Sequence, residues 1–465
     1  MKINIQNIKN RCLPVMLVFA LLGIVSCEQL IDIPDNPPDQ IEQSQLFSDS
    51  ADIMSAVAGI YANFKIAGGG TSLFNGMVTE NMGMAADEMS YSYSNDFQTN
   101  TYDASYYGLT SMWQNPYSIL YQINVCIEGI SGTDALSASS KESLIAEMKV
   151  LRAMNYFYLV NLFGGVPVVT SSDYVENATV PRATEDEVYQ LMISDLTDAV
   201  NILTPEYPSE GRARPNRYVA EALLARVYLY HGDYEKAEEM ADDVISSGLY
   251  QLTSLNDVFL DGSTEAIWQL PSVGTSSQTY EGYSLLPYSN YSAPSYQVSD
   301  FLLNSFEDGD NRKTSWINAS VVGGTNYYYF YKYKNRSATA TPVEGYEFLR
   351  LAEQYLIRAE ADIQLGGTDN LQKAAADINV VRERAGLTDP VVAGSQDQMM
   401  NALMNERRHE LFCEWGHRWF DLRRTGRMDS VLGAEKSGWQ SYMGTLPIPA
   451  KEIQNNISLE QNPGY

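Results

Sequence analysis

The chain has 465 residues, with 31 Lys and Arg against 58 Asp and Glu for a formal net charge of −27, and only 4 Cys and 3 His. That balance argues against nucleic acid as a partner, since phosphate contacts need clustered cations. So few Cys and His likewise argue against a disulfide framework or a His-based metal site.

At the start of the chain, Lys2, Lys9 and Arg11 precede an apolar run over residues 13–25, the layout of a secretory signal. The run is shorter than the roughly 20 residues that span a bilayer. Ile24-Val25-Ser26-Cys27 has the form of a lipobox, so residues 1–26 are read as a removed lipoprotein signal and Cys27 as the lipidated first residue of the mature chain. Removing them takes away three bases and no acid, leaving 28 basic against 58 acidic residues. Such a chain is repelled by an anionic membrane surface, so attachment falls to the acyl chains, two or three of which hold stably. Residues 27–45, with Pro34, Pro37 and Pro38, read as an extended tether without helix.

From Ser50, Met54, Val57, Ile60, Tyr61 and Phe64 recur at helical spacing, and a second helix is expected over residues 113–130. Ser139 with Glu142 can form a capping box, opening a helix that Gly164, Gly165 and Pro167 stop; Thr184 with Glu187 opens another. Ala225, Tyr228, Gly232, Tyr234, Ala237 and Ala241 fall at the small, aromatic and turn positions of a tetratricopeptide hairpin. Ala359, Gly366, Ala374, Ala375 and Ile378 echo it. Units over about 140–250 and 345–390 are therefore expected to stack in one right-handed helical layer.

Tyrosine is the compositional outlier, at 32 residues beside 14 Phe and 6 Trp. Its flat apolar face and polar tip suit a wet interface or a sugar ring as well as a core. Tyr280, Tyr283, Tyr288, Tyr291 and Tyr296 lie among Ser, Gly, Asn and Pro, TNYYYFYKYK follows from Thr325, and SYSYSNDFQTNTYDASYYG at 90–108 is similar. These stretches predict long loops with short strands set into the helical scaffold, at about 88–110 and 270–340, where binding residues tend to collect.

Catalytic signals are sparse. His409, Glu410 and His417 fail the H-E-x-x-H zinc spacing because position 413 is Cys. Cys126 and Cys413 sit in apolar helical patterns and read as buried small residues. Glu307-Asp308-Gly309-Asp310-Asn311 opens like a calcium loop but lacks the Gly and Glu that should follow, so it reads as an acidic turn. Neither a G-x-S-x-G elbow nor a Gly-rich phosphate loop occurs. Fifty-eight acids leave room for the paired carboxylates of a surface glycoside hydrolase, which stands as one alternative, and a tetratricopeptide assembly scaffold as another. The dense segment over 405–426 reads as structural, with Arg407, Arg408, Arg418 and Arg423 paired to Glu406, Glu410, Glu414 and Asp421.

Within that segment, ERRHELFCEWGHRWFDLRRTG resembles the ERR-x-EL-x-x-EG-x-RWFDL-x-R signature of the SusD/RagB family of outer-membrane nutrient-binding lipoproteins. LRAMNYFYLVNLFGGVPVV from Leu151, FEDGDNRKTSW from Phe306, INVVRERAGL from Ile378 and the C-terminal LPIPAKEIQNNISLEQNPGY are also family-like, so the resemblance spans nearly the whole mature chain. Trp415 stands where the family usually has another residue. The resemblance implies a mainly α, single domain over 46–465, with tetratricopeptide-like hairpins as scaffold and loops on the ligand face. It also implies a non-enzymatic lid, without cofactor, over a SusC-like TonB-dependent transporter at the cell exterior. Such a lid captures glycan, or in some members peptide. Arg152, Glu406, Arg407, Arg418, Trp419 and Asp421 carry the motifs and are expected to be structural. In the family's starch-binding member an aromatic arc comes from two loops. The corresponding loops here hold Phe97 and Tyr102, and Tyr280, Tyr283, Tyr288 and Tyr291, the candidate ligand contacts; neither holds tryptophan.

Overall fold

The computed structural model describes residues 43–64, 72–272, 279–338 and 343–465. The signal segment, Cys27 and most of the tether lie outside the described residues. A helical turn at Gln43–Leu46 already opens within the stretch read as a helix-free tether.

The fold is mainly helical. Helix α1 (Ser50–Phe64) buries Val57, Ile60 and Phe64 as their spacing predicts, but Ile53 takes the place of Met54, which is exposed, and Tyr61 is half-buried. After α2 (Met77–Ala85) come the long pair α3 (Tyr107–Gly132) and α4 (Ala138–Phe163). Helix α4 is buried almost all round over its second half and serves as the central rod of the core. Its cap is Ser137, whose hydroxyl accepts from the Ser140 amide; the expected Ser139 box does not form, because the helix starts two residues earlier. The Thr184–Glu187 capping box does form, opening α5 (Glu185–Ile202). The tetratricopeptide hairpin is α6 (Arg217–His231) and α7 (Tyr234–Ser246), joined at Gly232 with φ 94°, a left-handed conformation that favours glycine. Its echo is α8 (Leu351–Leu365) and α9 (Thr368–Arg384), followed by α10 (Gln396–Leu411) and α11 (His417–Arg424).

From α3 to α9 each helix packs on the next in chain order, and α7 packs directly on α8 although residues 247–350 intervene. The two hairpins therefore belong to one layer, as their small residues require: Ala225, Ala237, Ala241, Ala359 and Ala374 are fully buried where helices approach.

Among the described residues six short strands form three antiparallel pairs: β1 (Met89–Tyr91) with β3 (Tyr296–Val298), β2 (Ala266–Pro271) with β6 (Gly345–Arg350), and β4 (Ile317–Val322) with β5 (Thr325–Phe330). The tyrosine-rich insertion leaves the scaffold through β2 and returns through β6, so both its ends are fixed by one strand pair. Strand β6 is buried along its whole length. Its Phe348 stacks on Trp415 at 4.4 Å and lies 4.9 Å from Trp268. Gly323 and Gly324, with φ 59° and 86°, make the two-residue turn between β4 and β5.

The charged segment is structural, but its partners are mostly remote. Of Arg407, Arg408, Arg418 and Arg423, only Arg407 finds one within the segment, its Nε donating to Asp421 at 2.7 Å, an acid that Arg424 also grips at 2.7 Å. Arg418 donates twice to Asp87 at 2.7 Å, Arg408 also reaches Asp87, and Arg423 reaches Glu185. The acids in turn collect distant cations. Glu410 accepts from Arg350 at 2.6 Å, from Arg312 at 3.1 Å, and from Arg384. Glu414 accepts from Arg350 and from Lys332, and Glu406 from Arg312 at 2.5 Å. Burial alone raises the Glu410 carboxyl; Arg384, Arg350, Arg312 and Lys332 together reverse this and hold it far below the usual carboxylate range. The acidic turn is taken up in the same way, Asp310 by Arg312 and Glu307 by Arg382. Cys126 and Cys413 are buried free thiols.

Because the folded Glu410 carboxyl titrates below its ordinary value of 4.5, its stabilising contribution is complete above that pH and is lost as pH falls. Glu410→Ala removes a buried carboxylate shared by Arg312, Arg350 and Arg384, each of which keeps another acid, and should cost about 3 kcal/mol in urea denaturation at neutral pH. The deficit relative to wild type should shrink towards pH 3. An unchanged midpoint at pH 7 would show that the network contributes little.

Candidate functional site

The two tyrosine-rich loops, about two hundred residues apart in the chain, are joined by the β1–β3 ladder. Tyr91 stands directly opposite Tyr296 in register, with ring centroids 4.7 Å apart. Tyr93 lies 5.5 Å from Tyr91 and is exposed. On the other side a short helix, Tyr280–Leu285, is opened by Thr279, whose hydroxyl accepts from the Gly282 amide at 3.0 Å. It places Tyr280 and Tyr283 6.0 Å apart. The Tyr280 ring lies against Gly76, where a Cβ would come within 2.2 Å of it and where φ is 84°, so glycine is required on both counts.

Arg336 extends the row. Its guanidinium carbon lies 4.7 Å from the centre of the Tyr283 ring and 5.9 Å from that of Tyr288, while Nη1 donates to the Leu286 carbonyl at 2.7 Å. Tyr283 is 45% exposed, and Tyr288 and Tyr291 are 86% and 87% exposed, in a loop turned by Ser289 and Ser292. The result is a tyrosine face running from Tyr93 through Tyr91, Tyr296, Tyr280 and Tyr283 to Tyr288.

Beneath it lies Glu80. The Tyr296 hydroxyl donates to Glu80 Oε2 at 2.9 Å. Burial pushes the Glu80 carboxyl up to about 7, opposed by hydrogen bonds from Ser284 and Tyr296 and assisted by Glu281. Burial and the nearby Glu80 also raise the Tyr280 and Tyr296 phenols, which stay protonated at neutral pH, that of Tyr296 donating to Glu80.

The structure thus brings together Tyr280, Tyr283 and Tyr288, with Tyr291 on the same loop. Two expected contacts are corrected. Phe97 is fully buried, its ring 4.9 Å from Tyr102 and 5.6 Å from Tyr106. Tyr102 is buried as well, donating to the Met443 carbonyl at 3.0 Å. Both are packing residues, because the loop that carries them folds inward under α3. Tyr91, Tyr93, Tyr296, Arg336 and Glu80 were not singled out as contacts. The alternation in SYSYS was the available signal for the first two, since residues two apart share a strand face.

The motif residues lie in the core. Arg152 grips Asp195 at 2.7 and 2.8 Å, Trp419 is buried edge-on to Trp439, and Glu406, Arg407, Arg418 and Asp421 sit in the ion pairs above. Cys27 lies outside the described residues.

Residues 35–229 match the model of a SusD-like family described as starch-binding and associating with the outer membrane, and residues 312–465 match the model of the SusD family. The chain belongs to the SusD/RagB family. Among its relatives, SusD-like protein P25 of Formosa agariphila is 26% identical over 99% of both chains. The starch-binding protein SusD of Bacteroides thetaiotaomicron is 25% identical over 69% of this chain and 72% of that protein. The solved structure of a laminarin-binding SusD-like protein is 25% identical and superimposes with a TM-score of 0.76, covering 90% of this chain and all of that one.

Glu80 gives the site a pH signature. With its folded value raised from 4.5 to about 7, its contribution to stability is complete below 4.5 and is lost as pH rises through 7. Glu80→Gln should therefore flatten the fall in thermal midpoint between about pH 5 and 8.5. Part of the slope should remain with Glu88, which burial likewise raises to about 7. A slope identical to wild type would place an ordinary, hydrated carboxylate at position 80.

Proposed function

We propose that this SusD/RagB protein captures oligo- or polysaccharide on the tyrosine face and passes it to a SusC-like TonB-dependent transporter, without itself catalysing a reaction. The carrying observation is the face itself. A row of partly exposed phenol rings offers apolar surface to the C–H faces of pyranose rings and hydroxyls to their O–H groups. Two relatives whose names record binding of starch and of laminarin support a glycan ligand. Tyrosine in place of tryptophan gives a smaller and more polar platform, suited to a hydrated chain held over several weak contacts.

The same proposal places the protein at the outer membrane, facing outward, held by lipid on Cys27 and tethered through residues 27–45. Among the described residues no helix is long and apolar enough to cross a membrane, and a family-model description that names the outer membrane supports this setting. Cys27→Ala should leave the fold intact and move the protein from the membrane to the soluble fraction; retention in the membrane would refute lipid anchoring through that thiol.

The direct test is a broad glycan array with purified mature protein, followed by titration of the best binder. Tyr283→Ala should weaken it about tenfold, near the upper end of what one aromatic contact contributes, with the thermal midpoint unchanged. Binding of no saccharide on the array would overturn the glycan reading in favour of peptide capture, and release of reducing sugar would establish catalysis instead.

A further inference from the structure

Helix α3 carries a second aromatic surface that shares no residue with the tyrosine face. Trp113, Tyr117 and Tyr121 recur at intervals of four, which sets them on one helix face about 6 Å apart along the axis. With Tyr174, from the segment after α4, they line a cleft of about 390 Å3. Exposure is graded across it: Trp113 is buried, Tyr117 half-buried, and Tyr121 and Tyr174 are 51% and 79% exposed.

The polar groups of the cleft are neutral amides, hydroxyls and a single carboxylate. Gln114 Nε2 donates to Glu452 Oε1 at 2.7 Å, which leaves the second Glu452 oxygen and the Gln114 carbonyl for another partner. Among the described residues, the Asn455 amide and the Tyr121 and Tyr174 hydroxyls have no hydrogen-bond partner. No Lys or Arg lines the cleft.

Its walls are fixed in advance. The Tyr117 hydroxyl donates to the Pro167 carbonyl at 2.8 Å, and the Asn124 amide donates to the carbonyls of Val169 and Ser171 at 3.1 and 3.2 Å. Asn177 donates to the Ser171 carbonyl at 2.8 Å, so the segment bearing Tyr174 is tied to the wall opposite α3.

This chemistry selects among ligands. An anion would find no cation, and a purely apolar ligand would leave the amides and the Glu452 carboxylate without partners. A neutral pyranose satisfies both halves, ring faces against Tyr121 and Tyr174 and hydroxyls to Asn455, Gln114 and Glu452. We propose that this cleft is a second saccharide site, taking one or two neutral sugar residues, separate from the tyrosine face. The proposal rests on the glycan reading above. Two sites on one rigid body would favour polymers long enough to engage both, through the effective concentration that the first contact confers on the second.

The test uses purified mature protein titrated by calorimetry with a panel of neutral gluco-, galacto-, manno- and xylo-oligosaccharides and the corresponding polysaccharides. Tryptophan fluorescence is followed in parallel, with Trp113→Phe identifying the Trp113 signal. Three proteins are compared: wild type, Tyr121→Ala with Tyr174→Ala, and Tyr283→Ala with Tyr288→Ala. All four tyrosines are exposed or partly so, and circular dichroism confirms that the folds match. Expected are two sites in wild type and loss of one of them, together with the Trp113 fluorescence change, in the cleft variant. The cleft site should survive in the face variant, and polysaccharide affinity should fall at least tenfold in either. A single site abolished by the face variant and untouched by the cleft variant would overturn the second site while leaving the glycan reading intact. No binding of any saccharide would overturn both. A cleft variant that keeps all saccharide binding but no longer recovers a membrane protein partner would make the cleft a docking surface and refute the proposal.

Discussion

The structure turns on the carboxylate of Glu410. It lies on α10 but accepts from Arg384 at the end of α9, from Arg350 at the end of β6 and from Arg312 within the tyrosine-rich insertion. Glu265, just before β2, shares Arg350 and Arg384 with it. One buried acid thus joins the helical layer, the strand pair through which the insertion leaves and returns, and the insertion itself. Burying so many charges is unfavourable unless geometry and pairing are nearly complete. The arrangement therefore has few alternatives: the insertion seats in one position or leaves several charges unpaired. Register and orientation, more than net stability, are what this network supplies.

That constraint explains how long loops can present an ordered face. Loops of this length ordinarily cost entropy each time they are fixed for binding. Here β1 and β3 pair across the two loops, Tyr280 seats against Gly76, and Arg336 holds Tyr283 and Tyr288. Most rings of the tyrosine face are thus oriented before any ligand arrives. Tyr291 is the exception, with no ring contact among the described residues, and is free to adapt.

Much of the scaffold was legible because it obeys local rules. The helix at Ser50, the Thr184 capping box, the Gly232 turn and the small residues of both hairpins follow from spacing and from backbone conformation, which sequence encodes directly. Assigning the charged segment to structure was also sound in kind, since Arg–carboxylate density beside aromatics suits buried ties. Its pairing was not legible: of the four arginines only Arg407 finds its partner nearby, the others reaching Asp87 and Glu185. The same limit governs the site. Composition marked both loops as tyrosine-rich, but nothing local says that Phe97 and Tyr102 turn inward or that Tyr91 meets Tyr296. Tyr102 reaches Met443 and Tyr91 meets Tyr296 only across more than two hundred residues of chain.

The central claim is that a rigid helical frame presents a preformed tyrosine face to a saccharide. Backbone hydrogen exchange on the mature protein, alone and saturated with the oligosaccharide it retains best, tests this most directly. The account predicts strong protection of α4, α6, α8 and β6 in both states, with added protection on binding concentrated at residues 89–93 and 279–298 and, for a ligand that also fills the cleft, at 113–121 and 167–178. Added protection spread through the hairpin layer, or a face whose amides are ordered only when ligand is present, would contradict it.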